Sequence, residues 1–260
     1  MTEPLWSARA KLARGNQHLE TLKRQFFERF DQPQLQPAMR VEKHFYAATS
    51  HFLWSVSLLP EVPGEWGLLI GETLHAFRDA LDHVAWQFVQ AGSTPNPPKP
   101  EDVFFPIHLG VPDPERLKKV TDKRLPGVVN RRQLALVKLS QPTDRRPTLE
   151  QLRVLSNQDK HRAIHLSLLY PVNELQVEIA LQEDCIVREA HIFDVFGKPL
   201  HLGTKLYRAC VEVTGPNPEV KMKGMNRFTV GLDDGTYIVD ALDKMAGRVG
   251  AIVGRAEDTF

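Results

Sequence analysis

Apolar residues recur at helical spacing in several stretches of the chain. Leu12, Leu19, Leu22, Phe26 and Phe30 predict a helix over 5–30, which Pro33 and Pro37 end. Ile70, Leu74, Phe77, Leu81, Val84 and Phe88 alternate steps of four and three and predict the best helix of the chain, over 65–90. Thr148, with Pro147 before it and Gln151 three residues later, matches a capping box, and the helix it opens is expected to run to about Tyr170, where Pro171 stops it. Val239, Leu242, Met245, Val249 and Val253 predict a closing helix over 238–253.

Elsewhere the period changes. Residues 38–60 read either as one helix rich in β-branched and aromatic residues or as a strand followed by a helix. Residues 103–146 look irregular, with one helix near 130–139. From 172 onward LQVEIAL, CIVREAHIFDV, LYRACVEV and NRFTVGL alternate or are β-branched, with turns at 196–198 and 215–218, which predicts an antiparallel sheet. The expected fold is α+β: an N-terminal helical bundle, then a small antiparallel β-sheet, then a C-terminal helix. The expected domains are 1–170, helical, and 171–260, β-rich with the closing helix. Within the first lie a proline-rich linker near 91–102 and a basic segment, 116–146.

Composition narrows the function classes. The chain has 260 residues, 42% hydrophobic and 25% charged, with a formal charge of +1, so no global field marks a nucleic-acid partner. Only two cysteines occur, Cys185 and Cys210, which fits neither a disulfide framework nor a zinc knuckle and points to a reducing cytoplasm. No apolar stretch approaches the ~20 residues of a membrane span, and the N-terminus lacks the apolar core of a signal peptide, so no membrane association is expected. No G-x-G-x-x-G or P-loop is present, and no cofactor is expected. Charge is uneven, however. Between Arg116 and Arg146 ten Lys or Arg stand against two Asp. This segment reads either as a solvated loop or as a phosphate-binding patch carried by Lys118, Lys119, Lys123, Arg124, Arg131 and Arg132.

The 65–90 helix carries the densest chemistry. With Ile70 at zero, Glu72, His75, Asp79, Asp82, His83 and Trp86 fall between about 120° and 220°, opposite the apolar stripe, with Arg78 near 80°. An ordinary solvated face would favour Lys and Glu, yet this helix has no Lys and places an indole mid-face. A shielded polar face needs partners. In the helix that follows Thr148, Asp159 interrupts an apolar stripe and is expected to pair, either locally with Arg162 or across to His75, Arg78 or His83, with His161 and His165 on a neighbouring face. Three chemistries fit. Arg78 and His83 suit phosphodiester chemistry, the Arg stabilising charge and the His moving a proton. Glu72, His75, Asp79 and His83 have spacings used for metals in helix bundles. A salt-bridge network that fixes helix register is the third.

RDALDH, Arg78 to His83, resembles the HEPN ribonuclease motif, an Arg, a polar residue and, a few residues later, a His. The wider pattern is similar to a bacterial family sharing GE-x-LH-x-x-R-x-ALDH, an FPI segment, a Gln-Pro and an N-x-DKHR; here these are Gly71 to His83, Phe105 to Ile107, Gln141-Pro142 and Asn157 to Arg162. That likeness spans about residues 65–165 and implies no activity. The HEPN resemblance implies a HEPN-like helical bundle and metal-independent RNA cleavage, with RNA as substrate and, often, an antitoxin or other protein partner. It implies that Arg78 stabilises the transition state, His83 is the acid/base and Asp79 orients one of them. Glu72, His75, Asp159, His161 and Arg162 are expected to support these three. Arg78 and His83 lie about 140° apart around a helix, so the resemblance also implies a homodimer whose protomers bring the pair into one cleft. A non-catalytic RNA- or protein-binding module on the same bundle, using the basic segment, is the alternative; a metal-dependent hydrolase is the third.

Overall fold

The longest apolar stripe forms the longest helix, α2 (Gly64–Ala91), in which Ile70, Leu74, Phe77, Leu81, Val84 and Phe88 are fully enclosed. The structure is a computed structural model that describes residues 5–31, 39–92, 98–111, 113–162, 164–169, 177–224 and 229–260. Among these the fold is mixed α+β, with six α-helices and eight strands. Pro33, Pro37, residues 93–97 of the proline-rich linker, Ala163, Tyr170, Pro171 and parts of two expected strands lie outside the described residues. Among the described residues no helix is long and apolar enough to cross a membrane.

The chain divides into two compact units, Met1–Arg24 with Gly64–Ile164 and Val239–Phe260, and Gln25–Pro63 with His165–Ile238. A boundary at 170/171 was the expectation, and hydrogen bonding explains the difference. Residues 38–60 form a β-hairpin, β1 (Arg40–Tyr46) and β2 (His51–Leu58), and β2 pairs with a strand from the second half of the chain. Neither helical reading of 38–60 holds. Alternate burial along β1 shows why: Val41, Lys43 and Phe45 lie on one face, and a period of two overrides the spacings that suggested a helix.

The first unit is helical. Helix α1 (Trp6–Phe26) runs into a π-helical turn, Phe27–Asp31, and packs against α2. Helix α3 (Pro114–Arg124) lies where the sequence looked irregular. Its signal is Asp113-Pro114-Glu115: the Asp113 carboxylate accepts from the Glu115 N–H, and Pro114 occupies the first turn, where its missing N–H costs nothing. Helix α4 (Arg131–Ser140) starts as expected, capped by Asn130, whose side chain accepts from the Arg132 N–H.

Helix α5 (Thr148–Asp159) starts where expected but differs from expectation in its cap and in its end. Pro147 is the N-cap, so Thr148 does not form a capping box, and the helix stops at Asp159 rather than near Tyr170. Ser167–Leu169 is strand β3 instead, because its backbone pairs with β8 (Thr229–Gly231) in the second unit's own hydrogen-bonding scheme. Helix α6 (Ile238–Glu257) returns to the first unit. Lys23 reaches Asp243, Arg248 donates to the Leu139 carbonyl, and the Phe260 ring meets Phe88.

Among the described residues every strand pair of the second unit is antiparallel, in three small sheets rather than one. Strands β1, β2, β6 (Lys205–Val213) and β5 (Cys185–Ile192) form a four-stranded sheet in the order β1-β2-β6-β5. Strand β4 (Val177–Glu183) pairs with β7 (Glu219–Gly224), a strand the sequence pattern did not reveal, and β3 pairs with β8. Phe52, Trp54, Val56, Leu206 and Ala209 are buried in the larger sheet.

Close approach of α1 and α2 depends on Gly15. A Cβ there would stand 2.5 Å from a carbon of the fully enclosed Phe77 ring. Gly15→Ala is expected to lower stability by about 1–3 kcal/mol despite the better helix propensity of Ala. Urea denaturation checks it, and a stabilised variant would show that the two helices separate freely.

Candidate functional site

The polar face of α2 is only partly open to water and is not gathered into one cluster. Its charged groups are tied to several elements of the first unit, two of them to α1. Lys11 on α1 pairs with Asp79 at 2.7 Å, and His18 lies 3.4 Å from Glu72. His75 Nε2 donates to Asp159 at 3.0 Å, with the carboxylate only 18% exposed. That is the cross-helix contact expected for a carboxylate inside an apolar stripe. Gly71 makes room for it, since a Cβ at that position would overlap the Asp159 carboxyl group. His161 and Arg162 are exposed beyond the end of α5. Among the described residues no three His, Cys, Asp or Glu side chains are placed to hold a metal ion, so Glu72, His75, Asp79 and His83 form no such set.

Arg78 and Asp82 act together on an extended segment, residues 103–108. Arg78 Nη2 donates to the Phe105 carbonyl at 2.8 Å, and Asp82 accepts from the Phe105 N–H at 2.8 Å. The two side chains also pair with each other at 3.0 Å, so both backbone polar groups of one residue, Phe105, are held. Burial raises the Asp82 pKa above its ordinary 3.8, against the opposing pull of Arg78 and the Phe105 N–H. Gln141 continues the pattern. Its amide donates to the Pro106 and Val137 carbonyls and accepts from the His108 N–H. Arg153 donates to the Ile107 carbonyl. The segment belongs to no helix or strand, so these side chains satisfy the backbone groups that secondary structure would otherwise satisfy.

Behind this segment lies a cavity of about 500 Å³. Helix α3 lines it with Arg116, Val120, Lys123 and Arg124, and α5 with Arg153, Ser156, Asn157 and its C-cap, Lys160; both sets follow a helical repeat, so each is a single stripe. With Arg78 the cavity has six Lys or Arg against one carboxylate, Asp82, which Arg78 already neutralises. Arg124 stacks on the Phe104 ring at 3.9 Å. Arg116, Lys123 and Lys160 have no hydrogen bond or ion pair among the described residues. His108 also lines the cavity. It is 6% exposed, and its Nε2 is enclosed without a partner. Burial lowers its pKa, and the nearby Arg116 and Arg153 lower it further, so the ring is neutral at pH 7.

His83 lies elsewhere. With Asp79, Trp86 and Glu101 it lines a second cavity, of about 560 Å³, that Arg78 does not reach. Asp82 and Phe104 line both cavities and stand between them. Within one chain, therefore, the Arg and His of RDALDH face different spaces. Of the expected RNA-contacting residues, Lys123 and Arg124 reach the basic cavity, Lys118 lines a separate hollow of about 260 Å³ between α3 and α4, and Lys119, Arg131 and Arg132 are exposed. The sequence reading missed Arg153, Lys160 and His108. The first two were legible as a 153–156–157–160 stripe, about 110° around the helix from the stripe holding Asp159.

Asp82→Ala removes an acceptor from a part-buried N–H and a counterion from Arg78, and is expected to cost about 2–4 kcal/mol in urea denaturation. A loss below about 0.5 kcal/mol would mean that the segment holds without the clamp. For His108 the folded state disfavours the proton. Its contribution is therefore complete above its ordinary pKa of 6.5 and is lost as pH falls below that value. His108→Phe should flatten part of the fall in stability below about pH 6.5, measured as unfolding free energy against pH.

No protein-family model matches the chain, and neither does any curated protein or any solved structure. The chemistry of the site therefore rests on its own geometry.

Proposed function

We propose that the helical unit is a phosphate-binding module whose first ligand to test is single-stranded RNA, held in the basic cavity between α3 and α5. The observation that carries this reading is the convergence of six cations from three helices on one cavity whose lone carboxylate is already paired. Like charges gathered this way repel one another, and an anionic ligand relieves that cost. Arg78 is anchored to Asp82 and Phe105 through Nε and Nη2, which leaves Nη1 without a partner among the described residues. The two free cysteines suit a reducing, cytoplasmic setting.

A second reading keeps RNA cleavage. His83 has no hydrogen bond or ion pair among the described residues, which leaves its imidazole available for proton transfer. Cleavage would need an arginine brought to the His83 cavity by a second protomer, as in a HEPN-like homodimer. It would be metal-independent, persisting in EDTA and vanishing in His83→Ala.

Fluorescence anisotropy with a labelled single-stranded RNA separates the readings. A binding module predicts affinity that falls steeply with salt, weakens about tenfold in the Arg116→Ala/Lys123→Ala variant and is unchanged in His83→Ala. Affinity indifferent to salt and to those two cations would sink it.

A further inference from the structure

The basic cavity is graded from mouth to floor. Arg116, Lys123 and Lys160 are exposed at its mouth. Deeper in, the Arg78 side chain is 14% exposed and His108 6%. Arg78 and Arg153 are held in place there by the carbonyls of Phe105 and Ile107, so their remaining N–H groups are fixed before any ligand arrives. The imidazole of His108 makes no hydrogen bond among the described residues. Nothing at Nε2 opposes a half-turn of the ring, which exchanges that nitrogen with Cε1 in the same volume. A neutral ring at the floor of a cationic cavity adds a polar handle without adding charge.

A phosphodiester inside a strand has one negative charge, two free oxygens and chain leaving on both sides. The exposed lysines and arginine at the mouth suit it. A terminal phosphate group has up to two charges, three free oxygens and chain on one side at most, so it offers more acceptors to the fixed donors of the floor than an internal phosphodiester does. We propose that the cavity recognises a terminal phosphate group, with Arg78, Arg153 and His108 reading the free oxygens and Arg116, Lys123 and Lys160 drawing the ligand in. This rests on the reading of the unit as a phosphate-binding module and specifies which phosphate it takes. The same chemistry is offered by the phosphorylated end of a nucleic acid, by a mononucleotide and by inorganic phosphate.

The test is anisotropy on the full chain with one RNA sequence in three forms, bearing a 5′-phosphate, a 3′-phosphate or hydroxyls at both ends. A mononucleotide and inorganic phosphate serve as competitors. At least one phosphorylated form should bind about tenfold tighter than the hydroxyl form. That preference should shrink to within about twofold in His108→Phe, checked for folding by circular dichroism, whereas Lys160→Ala should weaken all forms together. Displacement by the mononucleotide or by inorganic phosphate at similar concentrations supports the proposal and assigns the ligand to a small phosphate; displacement only by phosphorylated RNA supports it and assigns a strand end. Equal binding of all three forms overturns the inference and leaves the module reading intact. No binding of any form overturns both.

Discussion

The grip of Arg78 and Asp82 on the Phe105 backbone is the interaction on which the helical unit depends. An extended segment with no strand beside it must find partners for its backbone groups or pay for desolvating them. Here the partners come from three helices, with Arg78 and Asp82 on α2, Gln141 at the end of α4 and Arg153 on α5. The segment is therefore a spacer of fixed position. Its residues Phe104 and Pro106 to His108 line the basic cavity together with α3, α5 and the Arg78 and Asp82 side chains of α2.

That arrangement explains why so many cations tolerate one another. Arg78, Arg124 and Arg153 each have a structural task, on a carbonyl, on the Phe104 ring or on both. Their charge is a by-product of holding the segment. Arg116, Lys123 and Lys160 have no such task among the described residues, and their presence around the same space is what structural need alone does not account for. Charge beyond what the fold uses is the physical basis for assigning the cavity a ligand.

What the sequence revealed follows the range of each signal. Helical periodicity is local and strong in α2 and α6, and both lie where it placed them. Asp159 within an apolar stripe foretold a partner across the interface, and His75 is that partner. The hairpin at 40–58 and the early end of α5 were not legible, because each is decided by a strand far away in the sequence. The interleaving of the two units has the same origin. At the site, α3 and the stripe on α5 were readable in principle, from the Asp-Pro-Glu start and from the 153–160 spacing. His108 was not, since a lone histidine in an irregular segment has no pattern to betray it.

RDALDH shows how a short motif can unite residues that the fold divides. Five residues along a helix turn a side chain by about 140°, enough to send Arg78 and His83 to opposite sides of whatever packs on the face between them. Asp82 and Phe104 occupy that place, and one cavity lies on each side of them. Asp82 is also what fixes Arg78, so the residue that separates the pair is the one that gives the Arg its structural task. Any chemistry shared by Arg78 and His83 has to cross this partition by means of a second protomer, whereas binding on the Arg78 side requires only the groups already gathered there.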